Sequence, residues 1–325
     1  MKIKDIGGEF NLIDRLAALI PADHDEIVKG IGDDAAVLRI APVPAPYLLV
    51  TTDTLVEKKH FRRDWSTPEQ IGIKAAECNL SDIAAMGGQP QWMVVSIVLP
   101  PHIEVEWIED VYRGIGHACR RSHVALLGGD TTQGSATVIT ITLLGSVLDE
   151  HLCLRSHARP GDHLMVTGSL GASAAALALL SRGMQPSPYL MAKHLTPCSR
   201  LDVSGRIAPL ANAMIDISDG LGPEVRHLCT QSGVGARIAA ASIPLHDDVK
   251  AAAKALGVDP LQWALSGGED FELLFSVAPD RLAMLKQEGL LCHEVGCITD
   301  EADHAFLIRE DNECIALPRG YDHFR

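Results

Sequence analysis

The sequence predicts a two-domain protein of the mixed α/β (α+β) class. Three observations carry this expectation. The chain has 325 residues, more than one hydrophobic core ordinarily organises. Short runs rich in Val, Ile, Leu and Thr alternate with stretches of helical period, without tandem repeats. Around residues 155–162 the sequence Arg-Ser-His-Ala-Arg-Pro-Gly-Asp interrupts every periodicity. That break sets a boundary near residue 150, with domains at 1–150 and 151–325.

Taken in order, the first half offers strands at 47–52, 92–99, 125–127 and 137–147, each dominated by β-branched and aliphatic residues. Two helices fall between them. One starts at Pro68, with Thr67 placed to cap it, and stops at Gly87-Gly88. The other covers roughly 104–120, where Val105, Ile108, Val111 and Ile115 recur on one face. In the second half, strands are expected at 163–167, 214–217, 271–277 and 305–308, and helices at 170–181 and 221–231.

Hydrophobic residues are 47% and charged residues 22% of the chain, which supplies a sizeable aliphatic core and argues against disorder. Six Phe, four Trp and four Tyr are too few to line a surface that stacks on single-stranded nucleic acid. Twenty-eight Lys and Arg against 42 Asp and Glu give a formal charge of −14. The whole molecule therefore repels nucleic acid and anionic membrane, and an anionic substrate has to be met locally, most simply through divalent cations. The eight cysteines form no Cys-x-x-Cys pair and read as free thiols of a reducing compartment. No apolar signal region opens the sequence, and no run approaches the roughly 18 apolar residues of a spanning helix, so a soluble cytoplasmic protein is expected.

The acidic residues fall at strand ends. Apolar runs end in Gly30-Ile31-Gly32-Asp33-Asp34, Thr51-Thr52-Asp53-Thr54, Gly128-Gly129-Asp130-Thr131-Thr132 and Asp216-Ile217-Ser218-Asp219-Gly220, and Ser266-Gly267-Gly268-Glu269-Asp270 precedes a strand. Each taken singly is also an ordinary turn. Together they place carboxylates beside hydroxyls and glycines, the groups that a hard cation and a polyphosphate need. Asn79 and Asp82 share one face of the first helix with Ala75 and Met86, either as a polar pair at the edge of the core or as a metal ligand presented from a helix. His60 is open between a capping role and a substrate contact. Lys58 and Lys59 beside it, and Arg155 with Arg159, are the cations available to a phosphate. Gly30-x-Gly32-x-x-Ala35 imitates a dinucleotide fingerprint, but Asp33 and Asp34 would repel a bare pyrophosphate and Pro42 follows before a helix can form. No Walker A loop occurs.

These motifs resemble the thiamine-monophosphate kinase family, within the superfamily of aminoimidazole ribonucleotide synthetase, selenophosphate synthetase and the hydrogenase-maturation carbamoyl dehydratase. The resemblance covers nearly the whole chain. It rests on Gly-Glu-Phe at 8–10, Gly-Ile-Gly-Asp-Asp-Ala at 30–35, Thr-Thr-Asp-Thr-Leu-Val at 51–56, His60-Phe61 and Asn-Leu-Ser-Asp-Ile-Ala-Ala-Met-Gly at 79–87. It continues through Gly-Gly-Asp-Thr-Thr at 128–132, Asp-Ile-Ser-Asp-Gly-Leu at 216–221, Ser-Gly-Gly-Glu-Asp-Phe-Glu-Leu at 266–273 and Gly-Tyr-Asp-His-Phe at 320–324.

The resemblance implies an aminoimidazole ribonucleotide synthetase-like fold. Its N-terminal domain would bind ATP and metal and form a barrel with its twin in a homodimer, and a C-terminal α/β domain would complete the active site in the cleft between them. It implies that Asp34, Thr51, Thr52, Asp53, Asp82, Asp130, Asp216 and Asp219 hold several Mg2+ ions at the ATP phosphates. Asp53, Asp82, Asp130 and Asp216 would act catalytically through those metals. Gly129, Asp130, Arg155 and Ser218 would contact the nucleotide, and His60, Glu269 and Tyr321 thiamine monophosphate. The implied reaction is in-line transfer of the γ-phosphoryl group of ATP to thiamine monophosphate, giving thiamine diphosphate. Another ATP-dependent reaction of the superfamily, or a silent nucleotide sensor, is the alternative. Two departures stand out: Arg120, Arg121, Ser122 and His123 replace an aromatic often found before Gly-Gly-Asp, and Gly222-Pro223-Glu224 follows the Asp-Gly-Leu turn.

Overall fold

The computed structural model describes Arg15, Leu19, Ile27–Lys29, Val37–Leu38, residues 47–302 and residues 304–318. The chain divides into two compact units, Met1–Ile83 with Gly88–Asp149, and Ala84–Gly87 with Glu150–Arg325.

In the first unit a short antiparallel pair, β1 (Ile27–Lys29) and β2 (Val37–Leu38), precedes a four-stranded sheet. Its strands are β3 (Tyr47–Val56), β4 (Gln89–Leu99), β5 (Ala125–Gln133) and β6 (Val138–Val147), in the order β3-β6-β4-β5. β4 and β5 are parallel, joined by a helical crossover, and the other pairs are antiparallel. The helices are α1 (Pro68–Ala85) and α2 (Val105–Ser122). A reciprocal box starts α1: the Gln70 amide donates to Thr67 Oγ1 at 3.3 Å while the Thr67 amide donates to Gln70 Oε1 at 2.9 Å. A left-handed His123 (φ 55°) ends α2, with the Val124 amide returning to the Cys119 carbonyl. Where the helices meet their backbones almost touch: a Cβ on Gly72 would lie 1.9 Å from the Val111 carbonyl oxygen, and one on Gly114 as close to that of Glu69.

Strand β6 alternates strictly between buried and half-buried residues, the signature of a sheet with one face on the core. Ile139, Ile141 and Leu143 face inward with Met93, Val95 and Ile97 of β4. On the opposite face Leu48 and Val50 of β3 are each 62% exposed. The strands run longer than their aliphatic runs indicate, because pairing carries β3 on to Val56 and β5 through Gly-Gly-Asp to Gln133.

The second unit holds a seven-stranded sheet in the order β13-β12-β9-β11-β7-β10-β8. Its strands are β7 (His163–Thr167), β8 (Ala211–Asp216), β9 (Gly235–Ala239), β10 (Leu273–Val277), β11 (Cys292–Thr299), β12 (Ala305–Ile308) and β13 (Cys314–Ala316). Only β9 and β12 pair in parallel. The helices are α3 (Ala172–Leu180), α4 (Pro188–Leu195), α5 (Leu201–Ile207), α6 (Leu221–Ser232), α7 (Asp247–Leu256), α8 (Pro260–Ser266) and α9 (Leu282–Gln287). Both faces of this sheet are covered. Leu164, Val166 and Ile215 pack with Leu221, Val225 and Leu228 of α6, while Met165, Met214 and Phe275 pack with Ile207 of α5 and Leu285 of α9. Strands β9, β11 and β13 and helices α4, α5 and α7–α9 add to the elements expected from periodicity. β11 shows why such elements are hard to read: it alternates weakly and carries a bulge at Glu294–Gly296.

Candidate active site

In the first unit, alternation along β3 puts Thr51 and Asp53 on one face and Thr52 on the other. Thr51 Oγ1 donates to Asp82 Oδ2 at 2.5 Å, joining the strand to α1. Burial pushes the Asp53 carboxyl up to about 6, and the charge of Asp82 pushes the same way. Asn79, fully buried one turn before Asp82, donates to the Ala75 carbonyl at 3.2 Å, and its Oδ1 has no donor. The two neighbouring carboxylates of Asp53 and Asp82 and the Thr51 hydroxyl are all oxygen donors, the chemistry that suits a hard divalent cation. Thr52 is engaged elsewhere, donating to the Ile141 carbonyl at 3.0 Å and accepting from Thr142 Oγ1 at 3.2 Å.

Asp130 is exposed on β5, three strand spacings or about 14 Å across the sheet from β3. Gly129 beside it allows no side chain, since a Cβ there would fall 1.7 Å from the Val95 carbonyl oxygen. Among the described residues no three His, Cys, Asp or Glu side chains converge as a metal site. Asp34 and Tyr321 lie outside the described residues.

His60 sits in the turn after β3, where Lys58 adopts φ 68°. The Val56 amide donates to His60 Nδ1 at 2.9 Å, so a neutral ring carries its proton on Nε2. Lys74 of α1, only 3% exposed, donates to the His60 carbonyl at 3.2 Å. Its place in the helical stripe gave no signal of this role. Arg120, Arg121 and Ser122 form the last turn of α2, and Arg121 is paired with the buried Glu77.

In the second unit Asp216 closes β8 and is 3% exposed. Ser218, Asp219 and the left-handed Gly220 (φ 105°) then lead into α6. The Gly-Pro departure is accommodated there: Pro223 lies in the first turn, where no intrahelical amide bond is lost, and a Cβ on Gly222 would meet Pro318 at 2.7 Å. Glu224 reaches back to accept the Asp219 amide at 3.1 Å and the Ser218 hydroxyl at 3.4 Å. Burial raises its carboxyl to about 7, opposed by the Asp219 amide and, more weakly, by the charge of Arg155. Arg155, Ser218, Asp219 and Glu224 are thereby brought together at the start of α6, where helical amides point outward and favour an anion. Glu224 was legible only as a departure from the family pattern.

A second loop is laced onto this one. The Glu269 amide donates to the Ser218 carbonyl at 2.7 Å, and the Phe271 amide to that of Ile217 at 2.9 Å. Glu269 and Phe271 both have left-handed backbones, φ 68° and 50°, rare for residues with large side chains. Between them Asp270 is buried and accepts the Gly171 amide at 2.7 Å. Glu272 accepts from Thr167 Oγ1 at 2.7 Å, Lys193 Nζ at 2.8 Å and Arg200 Nη1 at 2.6 Å. These cations hold its carboxyl below the usual range despite burial.

The AIR synthase related protein family matches in two pieces, its N-terminal domain over residues 32–147 and its C-terminal domain over residues 159–309. The thiamine-monophosphate kinase of Escherichia coli K12 is 37% identical, with 98% of each chain covered. The chain belongs to the thiamine-monophosphate kinase family. Among solved structures, the thiamine-monophosphate kinase of Stenotrophomonas maltophilia K279a matches this family member with a TM-score of 0.81 and 33% identity, covering 94% of this chain and 96% of that one. A structure described as AaThiL complexed with AMPPCP and TMP matches with a TM-score of 0.79 and 34% identity, over 100% of this chain and 99% of that one. The two-domain fold expected for a thiamine-monophosphate kinase family member is therefore present.

Proposed function

We propose that this chain transfers the γ-phosphoryl group of ATP directly to the phosphate of thiamine monophosphate, yielding thiamine diphosphate and ADP. The observation that carries this reading is full-length similarity to thiamine-monophosphate kinases at 34–37% identity. Further support comes from the AaThiL relative, whose ligands include the ATP analogue AMPPCP.

Both reactants are anionic, so their charge has to be offset before they can approach in line. Asp53, Asp82 and Thr51, with Asp34, are assigned to Mg2+ in the first unit, Thr52 and Asp130 to further Mg2+ ions apart from that group, and Asp216 and Asp219 to Mg2+ in the second. Mg2+ held by these oxygens would supply charge neutralisation and alignment of the phosphates. Gly129, Arg155 and Ser218 are assigned to the nucleotide, with Arg155 and the first amides of α6 suited to its phosphates. His60, donating from Nε2, is assigned to the acceptor phosphate. Glu269 and Tyr321 are assigned to the cationic thiazolium, which a carboxylate and an aromatic face both favour. The acceptor oxygen is already ionised at neutral pH, so no general base is required.

The chain is further assigned as a homodimer joined through the open sheet face at Leu48 and Val50. A cytoplasmic location is assigned on its cysteines, which form no Cys-x-x-Cys pair, and no described helix is long and apolar enough to cross a membrane.

The test is chromatography of products from thiamine monophosphate, ATP and Mg2+, with thiamine and aminoimidazole nucleotides run in parallel. Thiamine diphosphate formed only from the monophosphate is the expected result. ATP binding without that product would return the chain to another superfamily substrate or to a sensor. Asp53→Asn is expected to abolish turnover and to reduce the Mg2+-dependent rise in Tm, which reports a stabilisation of about 2.7 kcal/mol per site at a hundredfold excess over Kd. Retained turnover would remove Asp53 from the metal site.

A further inference from the structure

Glu269 is supported by two buried side chains that no motif includes. Ser173, in the first turn of α3, is 1% exposed, and His194, in the last turn of α4, is 6% exposed. Ser173 Oγ lies 2.9 Å from His194 Nδ1 and 3.4 Å from Glu269 Oε2, and His194 Nδ1 lies 3.5 Å from the same Oε2. The serine, histidine and glutamate thus close a small triangle.

This triangle is not a nucleophile relay. In a hydrolytic triad the hydroxyl and the carboxylate meet opposite ring nitrogens, whereas here both approach Nδ1. A carboxylate can only accept, so one proton arrangement satisfies the contacts: Nδ1–H donates to Ser173 Oγ, and the Ser173 hydroxyl donates to Glu269 Oε2. Tying one oxygen fixes the plane of a carboxylate whose own backbone is left-handed. The Glu269 side chain is 28% exposed, so a buried pair orients a group that reaches solvent.

We propose that Ser173 and His194 are positioning residues for Glu269, setting the orientation in which its carboxylate meets the cationic part of the substrate. This inference rests on the assignment of Glu269 as a contact of thiamine monophosphate. Loss of one hydrogen bond to a charged group is worth about 1.5–3 kcal/mol, which corresponds to roughly tenfold or more in affinity.

The experiment is a mutant cycle of Ser173→Ala and Glu269→Gln, read as KM for thiamine monophosphate, KM for ATP and kcat, with Tm recorded for each variant. Ser173→Ala is expected to raise the thiamine monophosphate KM about tenfold, to leave the ATP KM within about twofold, and to add less than about twofold in the Glu269→Gln background. His194→Asn, which restores an N–H near Nδ1, is expected to behave like wild type where His194→Leu behaves like Ser173→Ala. The histidine tautomer gives a reading independent of turnover: a long-range 1H–15N spectrum should show His194 protonated at Nδ1. Equal KM effects of Ser173→Ala in both backgrounds, or an Nε2–H tautomer, would overturn the positioning role. An unchanged thiamine monophosphate KM in Glu269→Gln would instead overturn the substrate contact beneath it.

Discussion

Asp270 carries a charge in a place that resists it. Burial pushes its carboxyl from the ordinary 3.8 up to about 7, only partly offset by the Gly171 amide, and the nearby charge of Glu272 adds to the rise. The unfolded chain therefore loses this proton first, and stability falls as pH rises from about 4 to about 7. Below that window the penalty is absent, and above it the penalty is complete. Asp270→Asn keeps an acceptor for the Gly171 amide and removes the titration. Its urea midpoint is expected to vary less than that of wild type between pH 5 and pH 8, with the largest gain at pH 8. Superimposable pH profiles would show that Asp270 stays ionised throughout. Asp270 stood in a legible motif, Ser266-Gly267-Gly268-Glu269-Asp270, but its burial and its partner Gly171 were not legible there. The Asp-ended strands announce themselves because glycine, hydroxyls and carboxylates crowd a few positions. Ser173 and Glu269 stand 96 residues apart, and nothing local in either marks the other.

At the scale of elements, the pairing of α1 with α2 depends on two glycines whose absent side chains let helix backbones meet. Gly72→Ala forces a Cβ to 1.9 Å from the Val111 carbonyl oxygen, so the helices have to part. Overpacking of this kind costs about 3 kcal/mol, against the gain of up to about 1 kcal/mol that alanine brings to a free helix. Urea denaturation should show a net loss, and a stabilised variant would mean the two helices have room between them. Because α1 carries Lys74, Asn79 and Asp82, the same substitution is expected to weaken Mg2+ binding. Helices with strong punctuation were read well: Thr67-Pro68 starts α1 and Leu221 starts α6, as expected. Short helices such as α5 and α9, of seven and six residues, hold too few turns to establish a period. Their place is decided by the apolar sheet face they cover.

For the whole molecule, the open face of the first sheet is the feature that isolated chains leave unresolved. Its exposed Leu48 and Val50 lie beside each other on β3, opposite Ser146 and Leu144 of β6. Two charges there, Leu48→Glu with Val50→Glu, would be desolvated by any partner packed face to face. Sedimentation equilibrium is expected to give twice the chain mass for wild type and the single mass for the double variant. A monomeric wild type would end the homodimer assignment. Composition foretold the class and the aliphatic cores, since 47% hydrophobic residues and few aromatics leave little else to build with. It did not foretell that the second sheet would be largely antiparallel, because strand direction is fixed by distant pairings such as β7 with β10 and β11.

The left-handed backbones of Glu269 and Phe271 set two kinds of selection against each other. A library randomised at these positions and sorted only for thermal resistance would drift toward glycine or asparagine, which occupy that conformation without steric conflict. Sorted instead for growth that depends on the enzyme, it would keep a carboxylate at 269. The distance between the two outcomes would record, in allele frequencies, how much backbone comfort this loop forgoes to present one side chain.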